Sequence, residues 1–228
     1  MSEKDNDNIY ILEDEEREED NSPLNFAVVD GDGENEDEKE KTREKDKSAL
    51  ASLFKVMFNP VEGWKKIRRS RLTIENIQAG CFYPLLAILA VSKFADYFYS
   101  VDVSLSQLIT ESIVACVSYF FGFFCVVMLI NWLMPKEVTD NFEKGYGKQY
   151  IMVGMSSLVL FSIVTNILPM LWPILIFLPI WTLYFMFKGV RFFKLPAKVE
   201  LKFYLLASAG VIGLPLLVEW GLNEILPY

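Results

Sequence analysis

The chain alternates long apolar runs with short charged segments, and the runs are too long for the core of a soluble domain of this size. Four stand out: Ile77–Tyr99, Leu105–Met134, Tyr150–Phe187 and Phe203–Leu222. A helix crosses a hydrocarbon layer of about 30 Å with roughly 20 residues, so the first, second and fourth runs each predict one span. As one straight helix the third would be roughly 57 Å long at 1.5 Å per residue. Pro169 and Pro173 in "TNILPMLWP" lie at its middle and predict a hairpin there. The expected architecture is an all-α integral membrane protein with five transmembrane helices, at about 77–99, 105–134, 150–168, 170–187 and 203–222.

Two shorter elements precede the first span. In "KSALASLFKVMF", Ala49/Leu50, Leu53/Phe54 and Met57 form one helical stripe, with Lys47 and Lys55 off it. Too short to span, this segment predicts an interfacial helix lying on the membrane. In "NPVEGWKKIRRSR", Asn59 is an N-cap, Pro60 suits the first helical position, and Glu62 falls where a capping box needs it. On this second helix Val61, Trp64 and Ile67 face lipid or the bundle, while Lys65, Lys66, Arg68 and Arg69 meet anionic headgroups. Residues 48–72 are therefore assigned as amphipathic, interfacial helices, and 73–228 as the transmembrane domain.

Charge separates a third region. Residues 1–47 carry 19 Asp/Glu against 7 Lys/Arg, a net of −12, whereas the whole chain carries −8. With few large apolar residues, this block is expected to be a disordered, acidic cytoplasmic tail. Its N-terminus has neither the basic nor the apolar region of a secretory signal. Two apolar islands, "NIYIL" and "LNFAVV", are candidate docking segments for a membrane or cytoplasmic protein. The calcium-loop look-alike "DGDGENEDEKEK" fails, with Asn35 where glycine is required and Lys41 where a bidentate glutamate is required.

Basic residues set the expected orientation. They cluster before span one, between spans two and three, and in "KGVRFFKLPAKVELK" after span four, where Arg191 and Lys194 join the lipid-contact candidates. The opposite loops carry none, which predicts a cytoplasmic N-terminus and an outer C-terminus. Trapped against the inner leaflet, the last basic segment predicts lipid contact rather than nucleic-acid binding.

Candidate chemistry is sparse. There is no histidine, Cys81, Cys116 and Cys125 lie in apolar runs without a CxxC pair, and "GYG" lacks the rest of a phosphate loop. No catalytic residue, metal ligand or cofactor is expected. Lys93, Asp96 and Glu111 are ionisable residues inside spans, in one layer near the outer end, and mark either a cluster that pins two helices or snorkels to the outer surface, or a substrate or proton path. The spaced small pairs Ser118/Gly122 and Ala209/Gly213 fit internal helix packing or a homo-oligomer.

"NPVEGWKKI", "AGCFYPLLAILAVSKF" and "FEKGYGKQYIMVGMSSLVLFSIV" resemble the Yip-domain family, over roughly residues 50–225. That resemblance implies five spans, a cytoplasmic N-terminus and an outward C-terminus. Eukaryotic members are linked to Rab GTPases and vesicle traffic; "NPVEGWKKI" is closer to the bacterial branch, which favours a bacterial cytoplasmic membrane. The expected function is a non-enzymatic membrane organiser or scaffold for protein and lipid interaction. The alternative is a small-solute or ion transporter or channel subunit built on the Lys93/Asp96/Glu111 layer.

Overall fold

The structure is a computed structural model that describes residues 48–70, 72–99, 104–136, 146–171, 173, 177–193, 195 and 197–226. The acidic tail, Arg71, Trp172, Lys194 and the loop residues 137–145 lie outside the described residues. All the regular structure described is helical: α1 Ser48–Phe58, α2 Pro60–Arg69, α3 Ile74–Tyr99, α4 Leu105–Leu133, α5 Tyr146–Ile167, α6 Leu178–Val190 and α7 Ala197–Ile225.

Helices α3, α4, α5 and α7 are the described helices long and apolar enough to cross a membrane, four rather than the expected five. In the expected fourth span, 170–187, the described elements are a 3-10 turn at Pro169–Leu171 and, from Leu178, the 13-residue α6. At 1.5 Å per residue α6 is about 20 Å long. Pro179 explains the shortfall: it lies in the first turn of α6, where a missing N–H costs nothing, and inside a longer helix it would break one.

Interhelical hydrogen bonds define two ends of the bundle. At the first, Gln149 Nε2 donates to Leu72 O (2.6 Å), Tyr150 Oη to Met186 O (2.9 Å) and Lys202 Nζ to Leu133 O (3.3 Å). At the second, Asn166 Nδ2 donates to Ser92 Oγ and Tyr99 Oη to Ile167 O, each at 2.9 Å. The chain thus leaves α5 at the second end and is back at the first by Met186, in α6. Helix α7 then runs from the first end to the second, antiparallel to α4.

Packing between α4 and α7 depends on small residues. A methyl at Gly122 would lie 3.0 Å from Pro215 Cγ, and one at Gly210 would lie 3.1 Å from Val126 Cγ2. Gly122 thus serves internal packing and Ser118 is buried, bonded to Val114 O on its own helix, whereas on α7 it is Gly210 that meets α4: Ala209 is exposed and Gly213 faces open space. In α3, Pro84 follows a π turn at Gln78–Phe82, which absorbs the mismatch left by its missing N–H. Tyr119 Oη and Ser162 Oγ (2.6 Å) and Ser112 Oγ to Ala90 O (3.0 Å) add neutral ties between helices. Such bonds contribute about 0.6 kcal/mol each in membrane proteins.

A candidate lipid-facing elbow

Helices α1 and α2 fold back on one another at Asn59. Asn59 Oδ1 accepts from Glu62 N (3.4 Å), and Pro60 occupies the first turn as its fixed φ favours. The reciprocal half of the expected capping box is not formed: Asn59 N donates to Lys55 O (2.8 Å), and the Glu62 carboxylate pairs with Lys65 Nζ instead (2.9 Å). That ammonium holds Glu62 below the usual carboxylate range. Gly63 makes the fold-back close, since a Cβ there would overlap the Val56 backbone.

The elbow is riveted to the bundle through Trp64. This indole is only 4% exposed, donates from Nε1 to Phe185 O at 3.0 Å, and lies 5.4 Å from the Tyr150 ring. Gly189 makes room for it, because a methyl at 189 would stand 2.5 Å from Trp64 Cε2. Tyr150 in turn packs on Phe203 at 5.7 Å, so α2, α5, α6 and α7 meet at one aromatic cluster. Trp64, a lipid-contact candidate whose stripe left lipid or the bundle open, is therefore a protein contact; the space beside Gly189 and the carbonyl of Phe185 take it out of lipid. Pro60 and Ile67 are buried with it.

Two further contacts fix how α2 lies along α6. Trp181 Nε1 donates to Met57 O (2.9 Å), and Arg68 Nη1 to Phe192 O (2.9 Å). Met57 stands just before the turn and Phe192 just past α6, and between them Trp64 meets Phe185 and Arg68 meets Phe192 in the same order along both helices, so α2 and α6 run side by side and parallel.

The cations follow the first end. Lys65, Lys66, Arg68 and Arg69 project from α2, and with Lys55, Glu62 and Ser70 the first, second and fourth of these line a cleft of about 340 Å³. Lys188 lies over the Tyr184 ring (5.5 Å) and Arg191 over Phe187 (5.1 Å), which keeps both on the lower rim of α6. Lys136, Lys148 and Lys202 belong to the same end. Among the described residues, Lys93 is the one cation at the other.

Lys93, Asp96 and Glu111 are not brought together as a charged cluster. Among the described residues no ion pair joins them, and Glu111 Oε1 accepts from Gln107 Nε2 on its own helix (2.9 Å). The pinning expected of these charges is done instead by neutral groups, Ser92, Asn166, Ser112, Tyr119 and Ser162. No group of His, Cys, Asp and Glu among the described residues is arranged to hold a metal ion.

Sequence reasoning missed Gly63, Tyr150, Gly189 and the carbonyl of Phe185. A glycine in the last turn of a short apolar helix was the available signal, without anything to say which side chain fills its space.

Comparison with curated proteins and with solved structures found no match. The family model of the Yip1 domain matches residues 54–218, well over half of the chain, and takes in the end of α1, the turn at Asn59 and all of α2. With four apolar helices of spanning length, this is an integral, multi-pass membrane protein, and the chain belongs to the Yip1 domain family.

Proposed function

We propose that this protein is a non-enzymatic membrane organiser that gathers anionic lipid headgroups around the elbow and holds its acidic tail beside the bilayer for a membrane or cytoplasmic protein. The observation that carries this reading is the Trp64 rivet. It fixes Lys65, Lys66, Arg68 and Arg69 against the bundle on the same end as Lys188 and Arg191, so the cations act as one rim. Each such base beside an anionic leaflet contributes on the order of 1 kcal/mol.

The test is lipid retention. In full-length protein taken from mixed neutral and anionic nanodiscs, native mass spectrometry should find anionic lipid preferentially bound. Replacing Lys65, Lys66, Arg68 and Arg69 by Gln should lower that preference by on the order of tenfold or more. Equal retention of both lipids by the unsubstituted protein overturns the reading.

The rim also supports orientation. Basic segments stay on the cytoplasmic side, which supports an elbow on the inside and an end of α7 on the outside. Cysteine at Ser104 should react with an impermeant reagent on intact cells, and cysteine at Arg69 only after permeabilisation. The reverse pattern would invert the assignment.

A further inference from the structure

We infer that the α1–α2 elbow does not lie flat on the membrane but enters it, as a short re-entrant hairpin whose tip at Phe58 displaces acyl chains in the leaflet on the basic side. The starting point is depth. Met186 is level with Tyr150, which follows Lys148 closely on α5, and with the end of α4 that receives Lys202. Trp181 is five residues earlier on α6, about 7 Å further into the apolar layer. Side chains on a helix lean toward its N-terminus, so the indole of Trp181 reaches deeper still. Its Nε1 meets the carbonyl of Met57, the residue before the tip. Since α2 climbs parallel to α6, from that level to Phe192, the fold-back at Phe58–Asn59 is the deepest part of the hairpin.

The surface there has the chemistry of a lipid contact. Phe58 is 82% exposed, and Leu50, Phe54 and Val61 continue it as an exposed apolar stripe at helical spacing. Next to the tip on α6 the exposed residues are Phe177, Ile180 and Trp181, so the stripe extends the lipid-facing side of a spanning bundle and is not an isolated patch. The charged groups of the hairpin collect elsewhere, in the cleft between Lys55, Glu62, Lys65, Lys66 and Arg69.

Backbone accounting agrees. Hydrocarbon offers no partner for an N–H or a carbonyl. At the tip, Asn59 N–H is bonded to Lys55 O, Pro60 has no N–H, Glu62 N–H is bonded to Asn59 Oδ1 and Gly63 N–H to Asn59 O. Met57 O is taken by Trp181.

The partner is thus the acyl region of one leaflet. Its occupancy is independent of headgroup charge, which separates this inference from the proposed headgroup rim. Full-length protein carrying an environment-sensitive fluorophore at Phe58→Cys, at Phe54→Cys or at Lys66→Cys is placed in vesicles of neutral lipid at high salt. Signal from the native cysteines is subtracted with unsubstituted protein. Lipids bearing a nitroxide deep on the acyl chain should quench the label at 58 roughly twofold or more better than lipids bearing it on the headgroup, and better than they quench the label at 54, a gradient along α1 that a helix lying flat in the interface would not show. The label at 66 should show the opposite order, and the label at 54 should fall between. Shallow quenching at 58 with the protein folded, as judged by helical circular dichroism, overturns the inference. So does deep quenching that appears only with anionic lipid at low salt. Deep quenching at 58 in a protein without anionic-lipid preference leaves the wedge standing and removes the rim.

Discussion

Trp64→Ala should lower the thermal midpoint of the purified protein by on the order of 10 °C, the equivalent of about 3 kcal/mol in a chain of this size. The substitution empties the space between Gly189 and Tyr150 and leaves the Phe185 carbonyl without its indole donor. Trp64→Phe keeps part of the ring and should cost about half as much, because the hydrogen bond and the outer ring are lost. The more specific signature is coupling with Gly189. Gly189→Leu alone drives a side chain into the indole, which stands 2.5 Å from any Cβ at that position, and should destabilise by several kcal/mol. In the Trp64→Ala background the same leucine has an empty space to fill, so the two changes together should cost less than their sum by about 1–3 kcal/mol. Additive costs, measured by thermal unfolding of the four proteins in one lipid environment, would mean that the indole is not seated on Gly189.

How far the sequence foretold these contacts depends on their range. Asn59 and Pro60 were legible as a helix start because capping is a property of four neighbouring residues. The partner of Glu62 was not: Asn59 also closes α1, whose own last-turn bond from Asn59 N–H to Lys55 O takes the donor that a capping box would use, and Lys65 takes the carboxylate. Three of the apolar runs became α3, α4 and α7, as their length and hydropathy require. The third run was misread after its break: Pro169 and Pro173 were given weight as the turn, while Pro179, which sets where α6 begins, was left inside a helix. Lys93, Asp96 and Glu111 share a layer but not an ion pair, because position along two helices says nothing of how each helix is rotated. Trp64 illustrates the same limit. Its place in an amphipathic stripe allowed lipid or bundle equally, and a glycine 125 positions away decided between them.

Gly63→Val should open the elbow, and trypsin should report it. The reason is steric and local: a Cβ at 63 overlaps the backbone of Val56, which cannot move aside as a flexible side chain could. Either α2 unwinds or the two helices separate, and separation is the cheaper course because Trp64 still anchors α2 to α6. Opening at Asn59 would pull Met57 from Trp181 and expose the chain on both sides of the turn. The backbone beside Lys55, Lys65 and Lys66 is then freer to enter a protease site, so cleavage within residues 48–70 of the protein in nanodiscs should accelerate by about tenfold or more, as an opening worth about 1.4 kcal/mol or more requires. Cleavage after Lys148 and Lys202, on the bundle itself, should change little. Gly63→Ala brings the same Cβ and should behave like valine, which distinguishes contact with Val56 from a general loss of helix propensity; alanine is the best helix former, and propensity alone would predict a tighter elbow. Unchanged cleavage in both variants would show that α1 and α2 do not close on Gly63, and the depth assigned to Phe58 would fall with it.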